Sequence, residues 1–219
     1  MKRTINKYSC QLVAEANNAK YFSEDLQIKI PMEAAEAIRK LTSIDKEYTS
    51  EEVRRIALHE ASHCVVGEVL HPGKTAVVSL LTDGEGAKGV TDYYDNGYST
   101  EQDLFDVVTV SLAGKAGIEL FYGEFDMGTF KDIESAYNLL VIWATQCSAG
   151  GFVSFESNNR GTSEASIRDH ELRISDKLDE LYGRAKKIID DNRNFVLAIT
   201  DKLLEEETLF SSDITKLVN

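Results

Sequence analysis

Residues 49–66 read Thr-Ser-Glu-Glu-Val-Arg-Arg-Ile-Ala-Leu-His-Glu-Ala-Ser-His-Cys-Val-Val, and this stretch decides the fold. It opens on a capping box, with Thr49 as N-cap and Glu52 three residues on. Val53, Ile56, Ala57, Cys64 and Val66 recur at helical spacing. His71-Pro72-Gly73 then stops the run, because proline cannot continue a helix and glycine suits its end. The pattern predicts one helix over roughly 50–70.

His59, Glu60 and His63 stand inside that helix in H-E-x-x-H spacing. Residues i and i+4 share a helix face, so both imidazoles can bind one ion. Zn2+ suits such a site best once a carboxylate completes it. Glu60 then lies beside the ion as general base toward a bound water. A helix that merely carries two histidines is the bland alternative.

Working outward, Thr75 to Leu81 is β-rich and bounded by glycines, which predicts a strand. Thr82 to Gly89 holds three glycines and reads as a loop, with Gly89 to Tyr94 returning as a hairpin. Ser99-Thr100-Glu101-Gln102 reads as a second capping box, opening a helix to Tyr122 that Gly123 ends. Its small residues Ala113, Gly114, Ala116 and Gly117 predict close approach of another helix. Further helices are predicted over Phe130–Cys147, from Ile167 to Asp190, and over Phe195–Leu204. Glu205-Glu206-Glu207 reads as a solvated end, and residues 211–219 as one more turn or short helix. Gly150-Gly151 and Ser157 to Thr162 read as a surface connection. Before residue 49 the patterns are weaker: a short strand at Gln27–Ile30 and a short helix at Met32–Leu41.

The chain has 219 residues and a net charge of −13, which argues against nucleic acid, whose phosphates need a basic surface. No apolar run approaches the roughly 20 residues that span a bilayer. Met1-Lys2-Arg3 is followed by no apolar run, so no signal peptide is expected. Cys10, Cys64 and Cys147 are an odd set without regular spacing, which suits reduced thiols in a cytoplasmic protein. Cys64 points about 100° away from His63 around a helix, so it is read as core.

Two histidines leave a zinc site short of a third protein ligand. An H-x-x-G-x-x-H extension does not fit, since Gly67 comes one place late and His71 two. Glu68, Glu85, Glu101 and Glu119 are all available, and spacing does not choose among them. Thr129-x-x-Asp132 reads by itself as a helix start.

Three segments together resemble the FtsH family of zinc proteases. Residues 49–66 resemble its active-site helix, which typically reads His-Glu-Ala-Gly-His-Ala-Val. Ser-Leu-Ala-Gly-Lys-Ala-Gly-Ile-Glu-Leu-Phe-Tyr-Gly-Glu, residues 111–124, resembles its Leu-Ala-Gly-Arg-Ala-Ala-Glu-Glu helix and the Phe-Gly-Glu beyond. Gly-Thr-Phe-Lys-Asp-Ile-Glu-Ser-Ala, residues 128–136, resembles its Thr-Gly-Ala-Ser-Asn-Asp-Ile-Glu-Arg-Ala, whose Asp is the third zinc ligand. Leu-Leu-Glu-Glu-Glu-Thr-Leu, residues 203–209, is also similar.

The resemblance implies Asp132 as third ligand with His59 and His63, and Glu60 as catalytic base. It implies a mainly α, zincin-like peptidase domain over 49–219, with a small β-hairpin and C-terminal helices. Residues 1–48 would be an extension of unassigned role. Ser62 replaces the family's glycine, and Ile118 stands where the first of two glutamates is usual. No G-x-x-x-x-G-K-[ST] occurs, so the chain is expected to lack the family's ATPase. The expected activity is therefore zinc-dependent hydrolysis of peptides or unfolded proteins, with a separate ATPase or regulatory protein as a candidate partner. The strand at 75–81 would either pair with substrate as an edge or pair within the core. The competing reading is a non-catalytic zinc-binding or protein-interaction module on the same fold.

Overall fold

The computed structural model describes residues 49–80, 89–93, 100–124, 126–147, 149 and 163–218. The expectations for residues 1–48, for the 82–88 loop and for the 150–162 connection lie outside the described residues. Helix α1 spans Ser50–Leu70. Thr49 Oγ1 accepts from the Glu52 amide at 3.2 Å, and the Glu52 carboxylate accepts from the Thr49 amide at 2.8 Å. Glu51 and Glu52 place negative charge in the first turn, where the helix dipole favours it. His71 caps the other end, and Gly73 follows in the left-handed region at φ 75°.

From Ala57 on, α1 is buried nearly all round; only His59 among residues 57–68 is more than marginally accessible. It is the central helix, with no single core-facing stripe. The reason is the set of neighbours: α3 (Ala113–Tyr122), α5 (Glu164–Asp191) and α6 (Arg193–Glu206) pack on it, as does strand β1 (Thr75–Ser79). Ala57, Ala61, Val65 and Val66 form one core with Ile118, Ile189, Ile199 and Leu203. A second core joins α2 (Glu101–Ser111), α4 (Phe130–Thr145) and α5 through Leu104, Val108, Leu140 and Ile174.

β1 pairs with β2 (Val90–Tyr93), as the hairpin reading expects, with Val78 opposite Thr91. It also pairs antiparallel with β3 (Thr208–Phe210), with Val78 opposite Leu209. The sheet order is β2-β1-β3, so β1 is central and fully buried. This corrects the edge-strand alternative for 75–81: both ladders of β1 are taken within the chain.

Three more expectations change. The helix read as continuous to Tyr122 breaks at Leu112, which ends α2 and begins α3. Its N-cap is Thr100, with Asp103 as partner, one place later than expected. Gln102 is not free to complete a box, because its side-chain amide donates to Asp106 at 2.7 Å. Glu207 is not a solvated helix end either. It adopts φ 59°, turns the chain out of α6 and into β3, and its carbonyl accepts from the Leu80 amide at 2.8 Å. The last helix, α7, spans Ser211–Val218.

Candidate metal centre

His59 and His63 project one turn apart from α1, and their Nε2 atoms stand 3.0 Å apart. Asp132 comes from the first turn of α4, and its Oδ2 lies 3.1 Å from His59 Nε2 and 3.5 Å from His63 Nε2. Two bonds of 2.0–2.1 Å at a tetrahedral angle put donor atoms roughly 3.3–3.4 Å apart. The three measured separations bracket that value, so these residues fit a zinc ion. Among the described residues they are also the one His/Cys/Asp/Glu group whose donor atoms converge within 4.8 Å.

The helix-start reading of Asp132 accounts for its position but not for its side chain. Thr129 precedes α4 without a side-chain cap, and a single 3-10 turn, Met127–Thr129, leads in, capped by Asp126. That turn aims the Asp132 carboxylate across to α1, where it meets the imidazoles. Burial works to raise its pKa, but the two imidazoles beside it, His59 and then His63, hold it far below the usual carboxylate range.

His63 is oriented from behind. Its Nδ1 donates to the Val110 carbonyl at 2.8 Å. A carbonyl only accepts, so Nδ1 carries the proton and Nε2 faces Asp132 with its lone pair available. Val110 sits two residues before the break at Leu112, and the interruption of the helical ladder leaves its carbonyl turned toward α1. Burial disfavours a charged His63, yet Asp132, Glu60 and this carbonyl overcome it and raise its pKa. The field that favours a proton there also favours a divalent cation at the same point.

Glu60 is buried, and its Oε2 accepts from Thr91 Oγ1 at 2.7 Å. A cavity of about 320 Å3 opens over the group, lined by His59, Glu60, Gly89, Ile118, Phe130 and Asp132 among others. Arg55 shares that wall, stacked 4.1 Å over the Tyr122 ring and bonded to Glu124. Close approach of α3 to α1 depends on glycine: a Cβ at Gly114 would stand 2.3 Å from His59 Cε1. Reading the sequence picked out the small residues here but not Thr91 or Val110, which no local pattern marks.

The other candidates have different employment. Glu68 accepts from the Gly73 and Thr75 amides and shapes the turn into β1. Glu101 accepts from the Trp143 ring nitrogen. Glu119 binds Lys115, Tyr182 and Lys186. Glu85 lies outside the described residues. Cys64 is fully buried in the core, and that burial pushes its thiol far up and keeps it protonated. His71 pairs with Asp106 at 3.2 Å, and His170 is buried in α5. Ile118 is buried beside the cavity, so no carboxylate stands there to bond a ligand.

Two imidazoles from one helix and a carboxylate from another are a donor set of the kind found in zinc hydrolases. The family model for peptidase family M41 matches residues 46–217, and the chain belongs to that family. It is 29% identical over 188 residues to the ATP-dependent zinc metalloprotease FtsH 1 of Sorangium cellulosum, covering 77% of this chain and 30% of that protein. It is 27% identical to FtsH 2 of Phytoplasma mali, covering 80% of this chain and 26% of the relative. It is also 27% identical to mitochondrial FTSH 3 of Arabidopsis thaliana, covering 76% and 22%. The chain thus spans less than a third of the length of these relatives. No described helix is long and apolar enough to cross a membrane.

Proposed function

We propose that the chain is a zinc-dependent endopeptidase acting on peptides or unfolded proteins. The observation that carries this reading is the convergence of His59, His63 and Asp132 within 3.5 Å, with Glu60 lining the same cavity. His59 and His63 through Nε2 and Asp132 through Oδ2 would hold Zn2+, which acidifies bound water and polarises a carbonyl. Glu60 takes the proton of the attacking water and passes it to the leaving amine nitrogen. The hydrogen bond to Val110 keeps His63 in the tautomer that presents Nε2. Ile118 and the buried wall of α1 keep the site partly dry, which strengthens every charge interaction in it.

A cavity of about 320 Å3 takes an extended segment with its side chains, not a folded domain. Among the described residues β2 pairs only with β1, so its outer side is the edge on which an extended peptide can lie. A separate ATPase or regulatory protein would widen the substrates to folded chains.

The test is hydrolysis of a fluorescein-labelled unfolded casein by the zinc-loaded chain beside its Glu60→Gln variant. Cleavage that disappears in the variant supports the peptidase. Absence of cleavage by both, with zinc bound, supports the non-catalytic module instead.

A further inference from the structure

We propose that Thr91 is a positioning residue for Glu60, and that Gly89 and Thr91 divide the work on its two carboxylate oxygens. The inference rests on the peptidase reading of the site. Thr91 Oγ1 lies 2.7 Å from Glu60 Oε2 and 3.2 Å from the Glu60 carbonyl. A threonine hydroxyl has one proton, and the shorter, charge-assisted contact takes it. Oε2 is thereby tethered. A Cβ at Gly89 would stand 2.7 Å from Oε1 and equally close to Cγ. Glycine therefore leaves Oε1 the space on the cavity side that the reacting water needs.

The donor is held as firmly as the acceptor. Side chains alternate along a strand, so residues 89, 91 and 93 face one way. Tyr93 shows which way: its hydroxyl donates to the His63 carbonyl at 2.7 Å, and a Cβ at Gly67 would meet its ring at 2.4 Å. Thr91 is in register with Val78 of β1, and Val78 is in register with Leu209 of β3. β2 thus fastens to the motif helix at Glu60 and again at His63, with the central strand behind it. A carboxylate on a flexible side chain gains a fixed direction from such a partner. Direction matters because a misplacement of 1 Å at a reacting group costs on the order of a hundredfold in rate.

Two measurements test this, one free of catalysis. Thermal unfolding of zinc-free wild type, Thr91→Val, Glu60→Ala and the double variant should show non-additive shifts in melting temperature, as contacting residues do. Additive shifts overturn the proposal whatever the activity. In hydrolysis of labelled unfolded casein by the zinc-loaded chain, Thr91→Val should lower kcat about ten- to a hundredfold, with KM held. Thr91→Ser, which restores the hydroxyl, should come back to within about threefold of wild type. Zinc affinity by chelator competition should not move in either variant, since Thr91 touches no donor atom. Gly89→Ala gives an independent arm: it should lower kcat while zinc binding persists. Wild-type kcat in Thr91→Val, equal losses in the valine and serine variants, or weakened zinc binding would each overturn the role. Non-additive melting beside a wild-type chain that cleaves nothing would keep the contact, but sink the peptidase reading and the positioning role with it.

Discussion

Ser62 Oγ fills the space that a side chain at Gly117 would need: a Cβ there would lie 1.9 Å from it. The hydroxyl is tied down by donation to the Leu58 carbonyl at 2.7 Å, so it cannot swing away cheaply. The FtsH-type motif quoted above has glycine at the first position and alanine at the second. This chain has serine at the first and glycine at the second, so the bulk between the two helices stands on α1 rather than on α3. The Ser62 departure is therefore answered on the neighbouring helix.

This arrangement predicts a stability cycle. Gly117→Ala alone should destabilise by about 1–3 kcal/mol through overpacking, although alanine gains about 1 kcal/mol in helix propensity. Adding Ser62→Gly should recover part of that loss by emptying the contested space. Urea unfolding of the two singles and the double measures it; a double variant no better than Gly117→Ala would refute the steric account.

Gly114 is under a similar constraint from His59, and under the proposed zinc reading the expected consequence is for metal binding. Gly114→Ala should push the His59 ring off its present line and weaken zinc binding about ten- to a hundredfold. Helical circular dichroism should persist. Unchanged zinc affinity by chelator competition would show that the ring has room to yield.

Zinc should stabilise the fold. At a hundred times its dissociation constant it should add about 2.7 kcal/mol, visible as a higher melting temperature that a chelator reverses. Asp132→Ala should lose most of that increment. If the variant keeps it, Asp132 is not a ligand.

Asp106 is buried and bound by Arg184 at 2.6 Å, by Gln102 at 2.7 Å and by His71 at 3.2 Å. Truncation leaves the Arg184 guanidinium without its carboxylate at the junction of α1, α2 and α5. Asp106→Ala should cost about 1–3 kcal/mol in denaturant unfolding, because the partners left behind can still reach water. A loss below about 1 kcal/mol would class the cluster with exposed ion pairs.

Glu119 supplies a pH signature. Lys186, then Tyr182 and Lys115, hold its carboxyl down at about 2, against 4.5 for a free glutamate. A lowered folded-state pKa stabilises above the unfolded value and is lost as pH falls through the folded one. The stability difference between wild type and Glu119→Gln should thus be full above pH 4.5 and fade toward pH 2. A difference independent of pH would mean that the lysines do not act through charge.

Much of the molecule is legible in residue order because it is written at short range. The capping box at Thr49, the apolar recurrence after it and the stop at His71-Pro72-Gly73 depend on neighbours within a turn, and they return as α1. The placing of His59 and His63 on one face follows from 3.6 residues per turn alone. The run of small residues at 113–117 announces a close helix, and α1 is that helix. The hairpin of β1 and β2 likewise follows from two β-rich runs close in sequence.

The remainder has no local cause. Helix propensity runs on through Leu112, and the break there is visible only with α1 in place to receive the Val110 carbonyl. The three residues of β3 are too few to signal a strand and become one by pairing with β1, which turns an expected edge into the centre of a sheet. Asp132 reads locally as an ordinary helix start, and the fold brings its carboxylate to two imidazoles on another helix. The tether between Thr91 and Glu60 joins strand to helix in the same way. By itself, then, the sequence determined the helices and the spacing of the motif, because backbone periodicity depends on near neighbours. The tertiary structure alone decided which distant carbonyl, carboxylate and hydroxyl face that motif, because those contacts exist only once separate elements pack.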